Sequence, residues 1–164
     1  MQDRDALPEP WRSFFADLDE LLPEPAEVHC FGGFAAVHAY GMARITNDVD
    51  FISSALYKKH RVYLDPVTIA TCPDGYMSRL RLMFPGLWKR VNLYALEAHD
   101  LALAKLERNL DRDRDDVQRL AAAGHLDRQI LNSRYHRELR PYLPRQTWHD
   151  QTLQLWIDIC WPKA

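Results

Sequence analysis

The chain has 164 residues and a mass of 19.2 kDa, the size of one domain. Hydrophobic residues make up 47% and charged residues 27%, enough apolar material for a core under an ordinary soluble surface. A net charge of −2 and a pI near 6.4 exclude a protein that coats nucleic acid non-specifically.

Pro8 to Leu22 reads as a first helix, with Trp11, Phe14, Phe15, Leu18, Leu21 and Leu22 at helical spacing and Pro23 and Pro25 as the stop. Val28 to Phe31 is a short buried strand that enters a tight turn at Gly32-Gly33. Phe34 to Tyr40 suits a short buried helix closed by Gly41. Asn47 to Ile52 alternates acidic and apolar residues with the period of a strand. Val62 to Thr71 and Arg90 to Leu96 are further strand regions, with a turn at Asp74-Gly75 between them. Helices are expected from Ala98, from Arg112 to Ala123, from Asp127 to Leu139 and from Thr147 to Trp161. Strands crowd the first 96 residues and helices the rest, so the expected architecture is α+β. It is a single domain over 1–164, with a small mixed sheet at about 26–96 and a helical part at about 98–164.

No stretch reaches the roughly 18 to 20 apolar residues that span a bilayer, and Met1 to Asp5 is too polar for a signal peptide. The expectation is a cytoplasmic protein without membrane contact. Cys30, Cys72 and Cys160 are odd in number and widely spaced, which speaks for reduced thiols rather than a zinc cage or a disulfide framework. A phosphate loop of the G-x-x-x-x-G-K-[ST] type, a G-x-S-x-G elbow and an H-E-x-x-H pair do not occur, so ATPase, esterase and zinc-peptidase readings lose their support.

The segment from Gly32-Gly33 to Asp48-Val49-Asp50 carries the chemistry. Residues two apart on a strand share a face, so Asp48 and Asp50 point together while Val49 and Phe51 point to the core. Two adjacent carboxylates repel unless a cation lies between them, and hard oxygen ligands describe a Mg²⁺ (or Mn²⁺) site. A Gly-Gly turn opening a helix exposes backbone N–H groups that can cradle phosphate. D-x-D alone is common and is usually a pair of solvated acids. The order strand, Gly-Gly, short helix, Arg44-x-Thr46, D-x-D strand is the more specific signal for metal-assisted transfer at a nucleotide phosphate.

Gly32 to Ala36 and Arg44 to Phe51 resemble the signature of the nucleotidyltransferase (DNA polymerase β-like) superfamily. They are similar in particular to a small bacterial branch of uncharacterised nucleotidyltransferases related to AbiEii-type toxins. The resemblance continues through Val62 to Val67, Asp100 to Arg108 and Arg112 to Val117, and so covers about residues 28 to 120. It implies a minimal nucleotidyltransferase fold that moves a nucleoside monophosphate from an NTP to an acceptor hydroxyl on an RNA 3′ end, a protein or a small molecule.

On this resemblance Gly32 and Gly33 contact the nucleotide phosphates, with Arg44 and Thr46 serving the same cleft. Asp48 and Asp50 hold the metal, and Asp65 is the one acid in place for a third carboxylate acting as base, although Pro66 follows it. Lys105, the lone cation in an apolar helix, is implied as a phosphate ligand and Asp116 as a supporting acid. Arg108 and Arg112 extend Lys105 into a ridge at i, i+3 and i+7. The plainer reading of that ridge is a set of surface cations paired with Glu107, Asp111 and Asp115, with Asp113 and Asp116 capping the second helix. The resemblance also calls for a helix between the D-x-D strand and the next one, and Ser53 to Arg61 is shorter than the roughly 10 to 12 residues of a parallel crossover.

His29, His38 and Tyr40 read as structural or core residues. Trp148, Trp156 and Trp161 read as a packing or oligomer surface that could cover the first helix through Trp11 and Phe14. Two other function classes stay open: a non-catalytic nucleotide-binding module, and a toxin–antitoxin component whose apolar C-terminal helix docks a cognate antitoxin or a second copy of the chain.

Overall fold

The computed structural model describes residues 7–43, 48–49, 63–64 and 71–162. Arg44, Thr46, Asp50 and Asp65 lie outside the described residues, as does the segment Ser53 to Arg61. The fold is α+β, with a small mixed sheet early in the chain and helices through the second half. The chain divides into a sheet-bearing unit, residues 1–67 and 80–96, and a helical unit, residues 68–79 and 97–164.

In the sheet-bearing unit, α1 (Trp11–Leu21) buries Trp11, Phe14 and Phe15 along one face, while Leu21 is 67% exposed, contrary to its place in the expected apolar stripe. Leu22 turns extended ahead of Pro23 and ends the helix. Strand β1 (Ala26–Cys30) buries Val28 and Cys30. Helix α2 (Gly32–Tyr40) buries Phe34, Ala35, Ala36 and Tyr40. The ring of Phe34 meets Trp11 edge-on at 5.0 Å and Phe15 at 5.8 Å, so the aromatic face of α1 is seated on α2.

Asp48–Val49 forms β2 and Tyr63–Leu64 forms β3, and the two pair in parallel with Asp48 opposite Tyr63. The link expected to be too short for a parallel crossover, Ser53 to Arg61, lies outside the described residues. Strand β4 (Arg81–Met83), which the sequence did not announce, pairs antiparallel with β5 (Val91–Ala95). In turn β5 pairs in parallel with β1, from Ala26 opposite Val91 to Cys30 opposite Ala95, giving the order β1-β5-β4. The Asp19 carboxylate at the end of α1 accepts the N–H groups of Lys89, Arg90 and Val91 at 3.2, 2.5 and 2.8 Å and fixes the entry into β5.

The helical unit begins with α3 (Ala98–Leu103), buried along its whole length, and a turn over 104–108. It continues with α4 (Asp111–Ala122), α5 (Arg128–Arg134), a wider π turn at Tyr135–Leu139, a 3-10 turn at Arg140–Tyr142 and α6 (Gln146–Cys160). The expected helix from Asp127 to Leu139 is thus α-helical only as far as Arg134. Its N-terminus is fixed by the Asp127 carboxylate, which accepts the Ile130 N–H at 2.9 Å. Helix α6 buries Leu153, Trp156 and Ile157, with Trp156 donating from Nε1 to Asn109 Oδ1 at 3.1 Å. None of the helices among the described residues is long and apolar enough to cross a membrane.

Gly41 closes α2 at φ +65°, a left-handed conformation that L side chains rarely adopt, although a methyl group there would meet nothing within 4 Å. Gly41→Ala is expected to lower stability by about 1 kcal/mol through backbone strain alone, read as a fall in the denaturation midpoint with an unchanged m-value.

Candidate functional site

Two groups of sequence-designated residues emerge, one in each unit. In the sheet-bearing unit Phe31 is extended and the chain turns at Gly32, whose φ of +58° selects glycine, directly into α2. The Gly-Gly pair is therefore the first turn of the helix itself rather than a loop before it. Helix α2 packs beside β2, which starts at Asp48. Gly32, Gly33 and Asp48 thus sit on adjoining elements of one unit.

Tyr40 is buried and donates its hydroxyl proton to the Leu96 carbonyl at 2.6 Å, a packing role as expected. His38 lies 4.5 Å from the Phe34 ring with its Nε2 atom buried and without a hydrogen-bond partner. Burial lowers its pKa and keeps the ring neutral.

In the helical unit Lys105 is neither on a helix nor on the surface. Helix α3 ends at Leu103, and Lys105 lies in the following turn with its side chain only 4% exposed. The expected ridge of Lys105, Arg108 and Arg112 does not form, because the turn breaks the helical spacing before α4 begins at Asp111. What forms instead is a compact cluster. Lys105 Nζ lies 2.9 Å from Asp116 Oδ2 and 3.6 Å from Asp113 Oδ1. Arg108 reaches Asp113 with a two-pronged contact, Nε to Oδ2 at 2.8 Å and Nη2 to Oδ1 at 2.6 Å, and keeps 37% of its side chain exposed.

Asp113 also accepts the Leu110 N–H at 3.0 Å, so it caps α4 as well as neutralising two cations. Burial pushes its pKa up, but Arg108, Lys105 and the Leu110 N–H outweigh burial and hold it below the usual carboxylate range. Lys105, Arg108 and Asp116 are thus brought together, with Asp113 as the fourth member.

A second buried network in the same unit was not singled out from the sequence. Asp100, fully buried on α3, receives Arg79 in a planar fork, Nε to Oδ2 at 2.8 Å and Nη2 to Oδ1 at 3.0 Å, and Arg134 at 3.0 Å. Arg79 reaches on to Glu138 at 2.6 Å, and Arg134 to Glu97. His99 Nε2 accepts the Asp127 N–H at 2.8 Å, so the ring proton sits on Nδ1 and is donated to Glu97 Oε1 at 2.8 Å. Burial together with the Asp100 charge pushes the Cys72 thiol up to about 12, which makes it inert at neutral pH.

The signal for this network was present in the sequence. An acid inside the apolar run Leu96 to Leu106 needs a buried cation as surely as Lys105 needs an anion. A third fork joins Arg140 to Asp150 at 2.8 and 2.9 Å, with Tyr135 donating to the same carboxylate at 2.7 Å. Arg140 is the main reason the Asp150 carboxyl is held near 2.

A family model described as "Nucleotidyltransferase of unknown function (DUF6036)" matches residues 12–160. No curated protein and no solved structure matches the chain.

Burial raises the Glu97 pKa, but the hydrogen bonds of His99 and Arg134 and the charge of Arg134 outweigh it and bring the carboxyl from 4.5 down to about 2. A depressed folded-state pKa stabilises the fold above the unfolded value and loses that stabilisation as the pH falls through the folded one. The thermal midpoint is expected to fall as the pH is lowered from about 4.5 to about 2, and Glu97→Gln to flatten part of that dependence, measured by calorimetry across the window.

Proposed function

The chain belongs to this family of nucleotidyltransferases of unknown function, and from that membership we propose that it is a Mg²⁺-dependent enzyme transferring a nucleoside monophosphate from an NTP to an acceptor hydroxyl. The new bond joins the acceptor oxygen to the α-phosphorus. The bond that breaks releases pyrophosphate, and the hydroxyl proton passes to a base, for which Asp65 is the candidate.

The observation that supports this reading best is the packing of α2, opened by Gly32 and Gly33, beside the strand that begins with Asp48. A glycine-initiated helix offers unobstructed N–H groups to phosphate, and a strand beside it presents carboxylates at alternate positions. Asp48 and Asp50 are proposed to hold the metal, whose hard-oxygen preference suits two carboxylates. A bound Mg²⁺ would supply charge neutralisation at the phosphates.

Arg44 and Thr46 are proposed to line the same cleft. Lys105 is proposed to face phosphate with Asp116 holding its ammonium in place, and Arg108 to supply the solvent-reaching charge of that cluster. The acceptor is an RNA 3′ end, a protein or a small-molecule hydroxyl.

Incubation with α-³²P-labelled NTPs, Mg²⁺ or Mn²⁺ and fractionated cell extract is expected to label an acceptor. Asp48→Asn and Asp50→Asn are each expected to abolish Mn²⁺ binding and reduce labelling by about a hundredfold or more with unchanged circular dichroism. Tight NTP binding with no labelled acceptor in any fraction would instead identify a non-catalytic nucleotide-binding module.

One observation favours a second reading, an interaction component whose partner is a cognate antitoxin or a second copy of the chain. Beyond its buried face, α6 carries Trp148, Leu155 and Ile159 at 45%, 49% and 42% exposure. The spacing i, i+7 and i+11 aligns them on one stripe. If that stripe docks a second copy, Leu155→Asp is expected to shift the sedimentation coefficient from dimer to monomer while thermal stability stays within about 0.5 kcal/mol.

A further inference from the structure

Between β3 and β4 the chain leaves the sheet-bearing unit, and residues 68–79 belong to the helical unit. From Thr71 onward this excursion is fastened at both ends. At its start Thr71 donates both its N–H and its hydroxyl to Glu107 Oε2, at 3.2 and 2.9 Å. At its end Arg79 forks onto Asp100 at 2.8 and 3.0 Å. Between them the Asp74 N–H donates to the Glu138 carbonyl at 2.8 Å, and Arg79 Nη2 donates back to the Asp74 carbonyl at 3.2 Å.

The two anchor residues, Asp100 on α3 and Glu107 within the turn, lie on either side of Lys105 in the chain. That turn has little regular structure of its own. It follows a helix of six residues, and Lys105 is held by one backbone bond to Ala102 at 3.1 Å and one from Asn109 at 2.9 Å. Short helices and isolated turns are not self-supporting in water. Yet Lys105 Nζ must be placed to within a few tenths of an ångström to keep Asp116 at 2.9 Å inside the protein, and a lysine side chain has several bonds free to rotate. A loop pinned at Asp100 before Lys105 and at Glu107 after it supplies the missing constraint.

We propose that Thr71 and Arg79 are positioning residues that hold the Lys105 turn in register and so keep the ammonium fixed on Asp116. For the part Lys105 takes in phosphate contact, this rests on the reading given under Proposed function; the brace itself stands apart from it. Neither residue faces Lys105 directly. Thr71 acts through Glu107, and Arg79 through Asp100.

The full-length chain labelled with ¹⁵N tests this. A buried, paired lysine ammonium exchanges its protons slowly and gives an observable NH₃⁺ resonance, identified by its loss in Lys105→Arg. Thr71→Val removes the hydroxyl donor, and Thr71→Ser keeps it. In Thr71→Val the Lys105 resonance is expected to shift and its proton exchange to quicken several-fold, with Thr71→Ser returning both to the wild-type values. Arg79→Lys, which loses the fork, is expected to act in the same direction.

An unchanged Lys105 resonance in Thr71→Val, with amide exchange of residues 71–74 accelerated, overturns the proposal: the brace is then broken and Lys105 does not sense it. Should Arg79→Lys fail to fold, the Thr71 pair decides alone. In the transfer assay Thr71→Val is expected to raise KM for the NTP or lower kcat, with rescue by Thr71→Ser. Absence of transfer by the wild type counts against the nucleotidyltransferase reading only, because the resonance still decides the brace.

Discussion

A carboxylate with no exposed surface, that of Asp100, dictates how the helical unit is assembled. An ionised acid inside a protein is strongly unfavourable unless cations and hydrogen bonds replace its water. Asp100 obtains both from residues far apart in the chain, Arg79 before it and Arg134 after it. Each arginine then reaches a second acid, Glu138 or Glu97, and Glu97 in turn orients His99 against the start of α5. Three segments without a common secondary structure are thereby tied to one short helix. Truncating any one partner would leave the others charged and buried, which is a far greater cost than the net value of the pair suggests.

The Lys105 cluster repeats the same rule a turn later. Asp113 does three things at once: it caps α4, forks with Arg108 and shares Lys105 with Asp116. A group so committed has little freedom to rotate, and it helps to fix the Lys105 ammonium in place. In the sheet-bearing unit rigidity takes a different form. Gly32 holds a left-handed backbone conformation that favours glycine, and the aromatic face of α1 is packed against the helix that this glycine begins.

Much of this was legible from residues alone. Helical spacing located α1, α4 and α6, and α2 was legible from a small, apolar run closed by Gly41. β1 and β5 were legible from apolar runs bounded by turn residues. Strand β4 was not, because Arg81-Leu82-Met83 is short and lies at a sheet edge, where two of its three residues are exposed. The break after Leu103 was missed for a different reason. The run from Ala98 to Leu106 keeps helical composition, yet the helix ends at Leu103 and Lys105 in the following turn pairs with an acid that comes later in the chain. Pairing across distance leaves no local trace, so Lys105 and Asp116 were named as residues but not as partners. Asp100 was read only as part of a motif.

Three of the buried or half-buried acids, Asp100, Asp113 and Asp150, are each gripped by two nitrogens of one arginine: Arg79, Arg108 and Arg140. A lysine in any of these places offers a point charge where a planar pair of donors is required. The sequence holds 16 arginines against 5 lysines, and at these three positions that choice is architectural, which limits how the protein can be re-engineered. Exchanging surface arginines for lysines, a common route to better-behaved proteins, would be harmless at freely solvated positions and would unfasten the helical unit at these three.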